Sequence, residues 1–188
     1  MLISKELKIR DMEFILGSRF PVSLRYAVNS HGWINLEPWE WDQNENILSR
    51  IESLPDGRRI HVRVAQQTPL RFLISLDGAL QEELIENRIR HVVSRWLSLE
   101  WDPQPAVTIA QNIDGLISAH IFAGGGRLLR CSSFFEDFVK TVCTINTNWR
   151  STVRMVSSLV SNLGCGAFPS PLIIKENGEN VLREEIRM

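Results

Sequence analysis

Long apolar runs are missing from this chain, and the longest of them span only a few residues. A helix that crosses a bilayer needs about 20 consecutive apolar residues, so no membrane-spanning segment or secretory signal is expected. Cysteine is scarce as well, because Cys131, Cys143 and Cys165 are an odd number and form no CxxC pair. This pattern disfavours a disulfide framework or a zinc site. We expect a soluble protein of a reducing cytoplasm that holds neither a metal ion nor a cofactor.

An excess of charge of one sign is also missing, since the formal net charge is -1. A balanced chain has no general attraction for phosphates, which supply much of the affinity of nucleic-acid binders. The distribution is nevertheless uneven. From Gly126 to Arg154 there are five basic and two acidic residues, whereas residues 1–125 contain thirteen basic and sixteen acidic ones. Most charge runs are solvated faces, so the asymmetry alone does not identify a ligand.

The N-terminal half has the alternating pattern of half-buried strands. Apolar residues occupy every second position from Ile60 to Val64 and from Leu70 to Leu76, which predicts two neighbouring antiparallel strands. The segments Trp33–Trp41 and Ile47–Leu54 are predicted to be two more strands, with Trp39 and Trp41 on one face. A total of 188 residues suffices for one sizeable core or two smaller ones.

Several helices are predicted around these strands. Helical apolar spacing extends from Glu82 to Leu97, and this helix should cover one side of the sheet. A short helix is expected over Pro21–Val28, because proline is tolerated in a first turn. Two further short helices are expected over Ala106–Ile113 and Leu116–Phe122, followed by a flexible connection at the three glycines 124–126. Antiparallel strands followed by packing helices indicate an α+β architecture.

The stretch from Gly126 to Gly164 predicts two antiparallel helices. Ser133 and Glu136 form a capping-box pattern at the start of the first helix. Its predicted apolar stripe consists of Phe134, Phe135, Phe138, Val139, Val142 and Cys143, so Cys143 is interpreted as a core residue and not as a nucleophile. The predicted core face of the second helix consists of Trp149, Val153, Val156, Leu159, Val160 and Leu163, and Gly164 is placed at its end. The polar residues Thr144–Asn148 form the corner between them.

This stretch resembles the opening of the helical domain in the helix-hairpin-helix DNA glycosylases, near the 3-methyladenine and 8-oxoguanine glycosylases. The segments Ser30–Trp33, Glu37–Asp42 and Asp56–Arg58 more loosely resemble the TATA-binding-protein-like N-terminal domain of the same family. The resemblance implies a TATA-binding-protein-like α/β domain over residues 1–104. It implies the first helices of an incomplete all-α glycosylase domain over residues 105–188.

The resemblance also implies a DNA-facing site at the polar corner. In the family, an asparagine at the position of Asn146 enters the duplex and occupies the space left by a flipped base. Thr147 and Asn148 lie with it at a helix N-terminus, where free amides and the helix dipole favour phosphate. Arg127, Arg130, Arg150 and Arg154 are the candidate phosphate contacts. On the residues alone, all three corner residues could simply cap the second helix, and the arginines could be ordinary exposed side chains.

Catalytic residues cannot be assigned. In the family, an aspartate near a Gly-rich hairpin supports cleavage of the glycosidic bond, and neither feature is identifiable in this chain. The last predicted helix, Val181–Met188, ends without Gly, Asn or Pro, so the chain is expected to be cut before the helix-hairpin-helix motif.

Two functions therefore remain open, beside the alternative of an unproductive relic that binds nothing. The first is an N-terminal fragment of a base-excision-repair DNA glycosylase, inactive as this chain, whose partner is double-stranded DNA with a damaged base. The second is a non-catalytic DNA- or protein-binding module that self-associates through the truncated helical face at Val181, Leu182 and Ile186. The sequence leaves the lesion preference and the number of catalytic activities undetermined.

Overall fold

The structure is a computed structural model that describes residues 12–78 and 82–185. The described residues form an α+β fold with a five-stranded antiparallel sheet and seven α-helices. The strands are β1 Met12–Gly17, β2 Glu40–Asp42, β3 Ile47–Ser53, β4 Arg59–Thr68 and β5 Arg71–Asp77. The helices are α1 Leu24–Val28, α2 Glu83–Trp96, α3 Gln104–Gln111, α4 Gly115–Phe122, α5 Phe134–Val142, α6 Trp149–Ser158 and α7 Pro171–Glu185.

The strand order in the sheet is β1-β5-β4-β3-β2, and all neighbours are antiparallel. The two predicted neighbouring strands are confirmed as β4 and β5, and the predicted strand over 47–54 is confirmed as β3. Val62 lies opposite Leu76, and Val64 lies opposite Ile74. All four side chains are buried, so the two-residue repeat read from the sequence marks the core face.

The predicted strand over Trp33–Trp41 is largely wrong. The chain forms a 3-10 turn at Gly32–Asn35, and only Glu40–Asp42 joins the sheet, as the edge strand β2. Pro38 lies between them, and a proline cannot donate a hydrogen bond to a strand ladder. Trp39 is buried in the core under the sheet and Trp41 packs partly against that core.

The helices agree more closely with the sequence. α2 occupies Glu83–Trp96, and its buried residues Ile85, Ile89, Val92, Val93 and Trp96 face the sheet core. α1 starts at Leu24, three residues later than Pro21, because the Ser23 side chain caps it by accepting from the Tyr26 amide at 3.2 Å. The short helices α3 and α4 occur where they were predicted.

Two of the three glycines after α4 pack closely against other segments, in contrast to the flexible connection predicted there, whereas Gly126 is exposed. Gly124 and Gly125 are buried, and the Gly124 carbonyl accepts from the Ser23 amide at 3.1 Å. A Cβ atom at Gly124 would lie 2.5 Å from that amide nitrogen, and its φ is +95°. Glycine is therefore required because the backbone of α1's N-terminus approaches so closely.

Buried apolar residues form two clusters. The larger one lies between the sheet and α2 and includes Leu129 from the segment before α5. The second cluster lies among α5, α6 and α7, and its buried members are Leu36, Cys143, Met155, Val156, Leu159, Val160 and Phe168. Because Leu129 and Leu36 each lie in the cluster of the other half, the two halves share their packing. The domain boundary at residues 104 and 105 stays a prediction.

Charged side chains fill the space between the sheet and α5. The Arg50 guanidinium of β3 donates from both terminal nitrogens to the Glu136 carboxylate of α5, at 3.0 and 2.9 Å. Lys140 Nζ lies 2.8 Å from the same carboxylate, and Arg50 Nε lies 2.6 Å from a Glu52 oxygen. All four residues are buried. The Arg50 guanidinium also lies over the Trp39 ring, 4.5 Å from its centroid.

This charge cluster shifts the acidity of its two carboxyls in opposite directions. Burial alone would raise the pKa of Glu136, but Arg50 and Lys140 lower it from 4.5 to about 2. Burial does raise the pKa of Glu52, because the attraction of Arg50 offsets it only in part. The Glu136 carboxylate is therefore the charge that the fold requires.

We expect Glu136→Gln to lower the free energy of unfolding by about 3–5 kcal/mol at neutral pH, because Arg50 and Lys140 lose their shared counter-ion in the core. Urea denaturation followed by circular dichroism measures this change. The interactions with Arg50 and Lys140 that lower the pKa of Glu136 stabilise the fold fully above pH 4.5. This stabilisation is lost as the pH falls toward 2 and the carboxylate is protonated. The difference in the free energy of unfolding between wild type and Glu136→Gln should therefore narrow between pH 4.5 and pH 2.

Glu179→Gln is the matched control, because Glu179 pairs with Arg183 at 2.6 Å on the exposed surface of α7. Its loss should change the free energy of unfolding by less than about 0.5 kcal/mol. Equal effects of the two substitutions would contradict the structural role assigned to Glu136.

Candidate nucleic-acid interface

The corner between α5 and α6 is formed by the six residues 143–148, which include the predicted site residues Asn146, Thr147 and Asn148. Asn146 has φ +54°, in the left-handed region that asparagine tolerates better than most residues. It is exposed, and its side chain makes no hydrogen bond with the described residues. The chain reverses direction here, and the side-chain amide of Asn146 is left in solvent.

The neighbours of Asn146 hold the corner in place. Asn148 is the N-cap of α6, where its Oδ1 accepts from the Ser151 amide at 2.9 Å. Thr147 Oγ1 donates to the Asn148 carbonyl at 3.0 Å, and Thr152 Oγ1 donates to the Cys143 carbonyl at 2.8 Å. Capping is therefore the work of Asn148, and Asn146 takes no part in it. The other amides of the first turn have no partner within the helix.

Cys143 supports the corner from inside. Its side chain is buried in the second apolar cluster, and burial raises the pKa of its thiol. A thiol nucleophile reacts as the thiolate, so Cys143 is a core residue, as the sequence predicted.

Two of the predicted arginines continue from the corner along α6. Arg150 and Arg154 are exposed and line a shallow groove of about 450 Å³ together with Ser157 and Ser158. A cationic groove of this kind suits a backbone that carries phosphates. The structure therefore brings Arg150 and Arg154 onto the same helix as the cap residue Asn148.

The other two predicted arginines lie elsewhere, beside the C-terminal half of α2. Arg130 is exposed there. Arg127 is only 3% exposed and donates to the Ser98 carbonyl at 3.4 Å and to the Trp101 carbonyl at 3.2 Å. The expectation of an exposed phosphate contact does not match this position, because backbone carbonyls from the end of α2 enclose the Arg127 guanidinium.

α5 is rotated relative to its sequence prediction. Phe134, Phe138 and Val142 were predicted to be buried, but they are 75%, 55% and 47% exposed. Phe134 and Phe138 stack with 6.2 Å between ring centroids, and Ile145 continues the exposed apolar surface at the corner. We call these four residues the α5 apolar face. The buried side of α5 carries Glu136 and Lys140 instead.

The predicted self-association face on α7 is different from this surface. Val181 and Leu182 are half-buried, and Leu182 packs against the second apolar cluster. Ile186 lies outside the described residues. The large exposed apolar side chains next to the corner belong to the α5 apolar face and to Trp149 at the start of α6, which was predicted to lie on the core face but is 43% exposed.

A solved structure has a similar overall fold, namely the 3-methyladenine DNA-glycosylase from Archaeoglobus fulgidus. The two chains superpose with a TM-score of 0.70 at 17% sequence identity, over 92% of this chain and 61% of that chain. This chain has a DNA glycosylase-like fold. It spans about 61% of the length of that relative. No protein-family model matches the sequence, and no curated protein matches it at a significant level.

Within this glycosylase-like fold, the aspartates of residues 12–78 and 82–185 have structural partners. Asp137 of α5 accepts from Trp33 Nε1, the Cys131 amide and Arg95, each at 3.0 Å. The other five cap turns or pair with neighbouring basic groups: Asp42, Asp56, Asp77, Asp102 and Asp114. The same residues contain no group of His, Cys, Asp or Glu that could hold a metal ion. None of the helices described in this fold has the length and hydropathy that crossing a bilayer requires.

We expect Asn148→Ala to lower the free energy of unfolding by about 0.5–2 kcal/mol, because α6 loses its N-cap. Asn146→Gly should leave stability unchanged or raise it slightly, because glycine adopts the positive φ of this position without strain. Thermal and urea denaturation of the two variants measure the contrast. A larger loss from Asn146→Gly than from Asn148→Ala would show that Asn146, and not Asn148, holds the corner.

Proposed function

We propose that the chain is part of a base-excision-repair DNA glycosylase-like protein and contacts double-stranded DNA with a damaged base through the α5–α6 corner. The observation that carries the proposal is the exposed side-chain amide of Asn146, at a corner where Asn148 already caps the following helix. The glycosylase-like fold supports the same function. In this proposal the residues up to 104 form the TATA-binding-protein-like domain, and residues 105–188 form the first part of the helical glycosylase domain.

In the proposed complex, Asn146 enters the stack where a base has been extruded. Extrusion costs a few kcal/mol, whereas one hydrogen-bonding side chain returns only about 0.5–1.5 kcal/mol. The remaining free energy has to come from phosphate contacts. Arg150 and Arg154 on α6 are suited to this, because they are exposed and line one groove beside the corner.

We propose further that the residues described here do not cleave the glycosidic bond by themselves. This proposal is supported by the hydrogen bonds and ion pairs that already occupy the carboxylates of their aspartates. Asp137, which lies on α5 in the helical part, has its carboxylate occupied by Arg95, Trp33 and the Cys131 amide. A carboxylate held in this way cannot move to a sugar without breaking the packing between α2 and α5. The chain thus supplies DNA contact in this proposal, and no residue of it is assigned to catalysis.

The sharpest test compares an intact duplex with one that contains an abasic site, where the gap is already open. Wild type should prefer the abasic duplex, and Asn146→Gly should weaken that preference by about two- to tenfold, the worth of one hydrogen-bonding side chain. Arg150→Gln should weaken both complexes alike and reduce the salt slope of binding by about one. Fluorescence anisotropy at several salt concentrations measures all three proteins.

Because Asn146→Gly keeps the backbone conformation, a loss of preference reports on the side chain alone. Equal preferences of wild type and Asn146→Gly would contradict the role proposed for Asn146. Absence of salt-dependent duplex binding would contradict the whole proposal. Release of a damaged base from a lesion-containing duplex by the wild-type chain would contradict its proposed lack of catalysis.

A second candidate function is protein binding through the α5 apolar face, with self-association as its simplest form. The observation that favours it is the exposure of Phe134, Phe138 and Val142 on one side of a single helix. Contiguous apolar surface of this kind marks interaction sites in many soluble proteins.

We expect the wild-type chain to form dimers at rising concentration and Phe138→Glu to remain monomeric, because a charge in the centre of the apolar face opposes its burial. Light scattering coupled to size-exclusion chromatography measures both proteins. Leu84→Glu is the matched control, since Leu84 is 81% exposed on α2, away from this face. A monomeric wild type at all concentrations would exclude self-association.

A further inference from the structure

A groove of about 820 Å³ lies beside the C-terminal half of α2 and the segment 126–130. Its volume falls within the roughly 300–1,000 Å³ that small-molecule sites occupy. Four arginines line it, namely Arg90, Arg95, Arg127 and Arg130, whereas Glu100 is the acidic residue of its lining. The groove is distinct from the α6 groove that carries the proposed duplex contacts.

Arg127 forms part of the groove wall and has no carboxylate partner among the described residues. Its Nε and Nη2 donate to the carbonyls of Ser98 and Trp101, while its Nη1 is buried without any hydrogen-bond partner. The guanidinium lies over the Trp101 ring, 5.0 Å from its centroid. Burial lowers the pKa of Arg127, because the charged guanidinium is removed from water. Holding this charge inside the protein therefore has a free-energy cost. An anion in the groove would offset that cost.

The remaining charges of the groove also favour an anion. Arg90 pairs with Glu86 and Arg95 pairs with Asp137, so these two arginines are already compensated. Arg130 is exposed and makes no ion pair with the described part of the chain. Arg127 and Arg130 together therefore outweigh the single negative charge of Glu100, and His91 adds a further donor to the lining.

We propose that this groove binds a phosphate group, held by Arg130 and drawn in by the uncompensated charge of Arg127. The planar fork of arginine matches the oxygens of phosphate in geometry and number. The inference goes beyond the proposed duplex contacts at the α5–α6 corner and does not depend on them.

The groove is larger than one phosphate group, and part of its wall is apolar. Leu128 and Trp101 line it beside the arginines, so a ligand with an organic part attached to its phosphate would fill more of it. The phosphate could belong to a free phosphomonoester or to the backbone of DNA, and both sources offer the same oxygens.

The test uses the full chain and inorganic phosphate as the probe, with binding followed by the 31P line width at constant ionic strength. Wild type should bind phosphate saturably. Arg130→Gln should weaken binding by about tenfold, the loss of one charge-assisted hydrogen bond. Glu100→Gln should strengthen binding, because it removes the opposing charge. Arg25→Gln, an exposed arginine on α1, is the matched control and should change nothing.

Absence of saturable binding in wild type would overturn the proposal, and so would equal weakening by Arg130→Gln and Arg25→Gln. Arg127→Lys tests the role of Arg127 in the groove wall, because it keeps the positive charge and loses the planar guanidinium. This variant should bind phosphate more weakly than wild type and still unfold in one cooperative thermal transition. Arg130 is exposed, so its variant remains informative if the Arg127 variant fails to fold.

Competition separates the two sources of phosphate. If an unmodified duplex without terminal phosphates displaces the probe from wild type, and does so equally from Asn146→Gly, the groove accepts DNA backbone. If a nucleoside monophosphate displaces the probe and the duplex does not, the groove accepts a free phosphomonoester. Either result supports the phosphate site, and displacement by neither would overturn it. Failure of duplex binding at the corner leaves the 31P measurement unaffected.

Discussion

The buried ion cluster of Arg50, Glu136 and Lys140 is the interaction on which the remaining structure depends. Arg50 stands on the core face of β3, where a two-residue repeat would place an apolar side chain. A charge in that position is tolerated only when it is paired and hydrogen-bonded. Glu136, which lies 86 residues further along the chain, provides both the opposite charge and the hydrogen bonds through a bidentate contact. The sheet and α5 therefore cannot be placed independently of each other.

The cluster also fixes the rotation of α5, and this explains why the α5 apolar face is exposed. Glu136 and Lys140 are one helical turn apart and both face the sheet. Phe134, Phe138 and Val142 follow the same spacing on another side of the helix, so turning the phenylalanines inward would carry Glu136 and Lys140 into solvent and leave Arg50 unpaired in the core. Hydropathy alone predicted the opposite rotation. The partner that decides the matter lies on a distant strand, and a periodicity within nine residues contains no information about it.

Local patterns predicted the elements whose determinants are local. Alternation identified β3, β4 and β5, helical spacing identified α2, and the Ser133 cap identified the start of α5, where Ser133 Oγ accepts from the Glu136 amide at 3.1 Å. The strand predicted over Trp33–Trp41 failed for a local reason, Pro38, whereas the errors at the glycines after α4, at Arg127 and in the rotation of α5 come from contact between segments distant in sequence. Gly124 is fixed by the backbone of Ser23, and Arg127 is enclosed by carbonyls from the end of α2. In the sequence, the glycines look flexible and Arg127 looks exposed, because those distant segments are not yet in place.

The conformation of Asn146 does not by itself argue for function. Asn46 has φ +53° in the turn between β2 and β3, almost the same value as the +54° of Asn146. The difference lies in the surroundings. At the α5–α6 corner, Asn148 caps the helix and Thr152 fastens the preceding carbonyl, so the fold needs nothing from the Asn146 side chain. In the proposed function, this free side chain meets the extruded-base gap of the duplex, and the positive charges of Arg150 and Arg154 on α6 attract its phosphates.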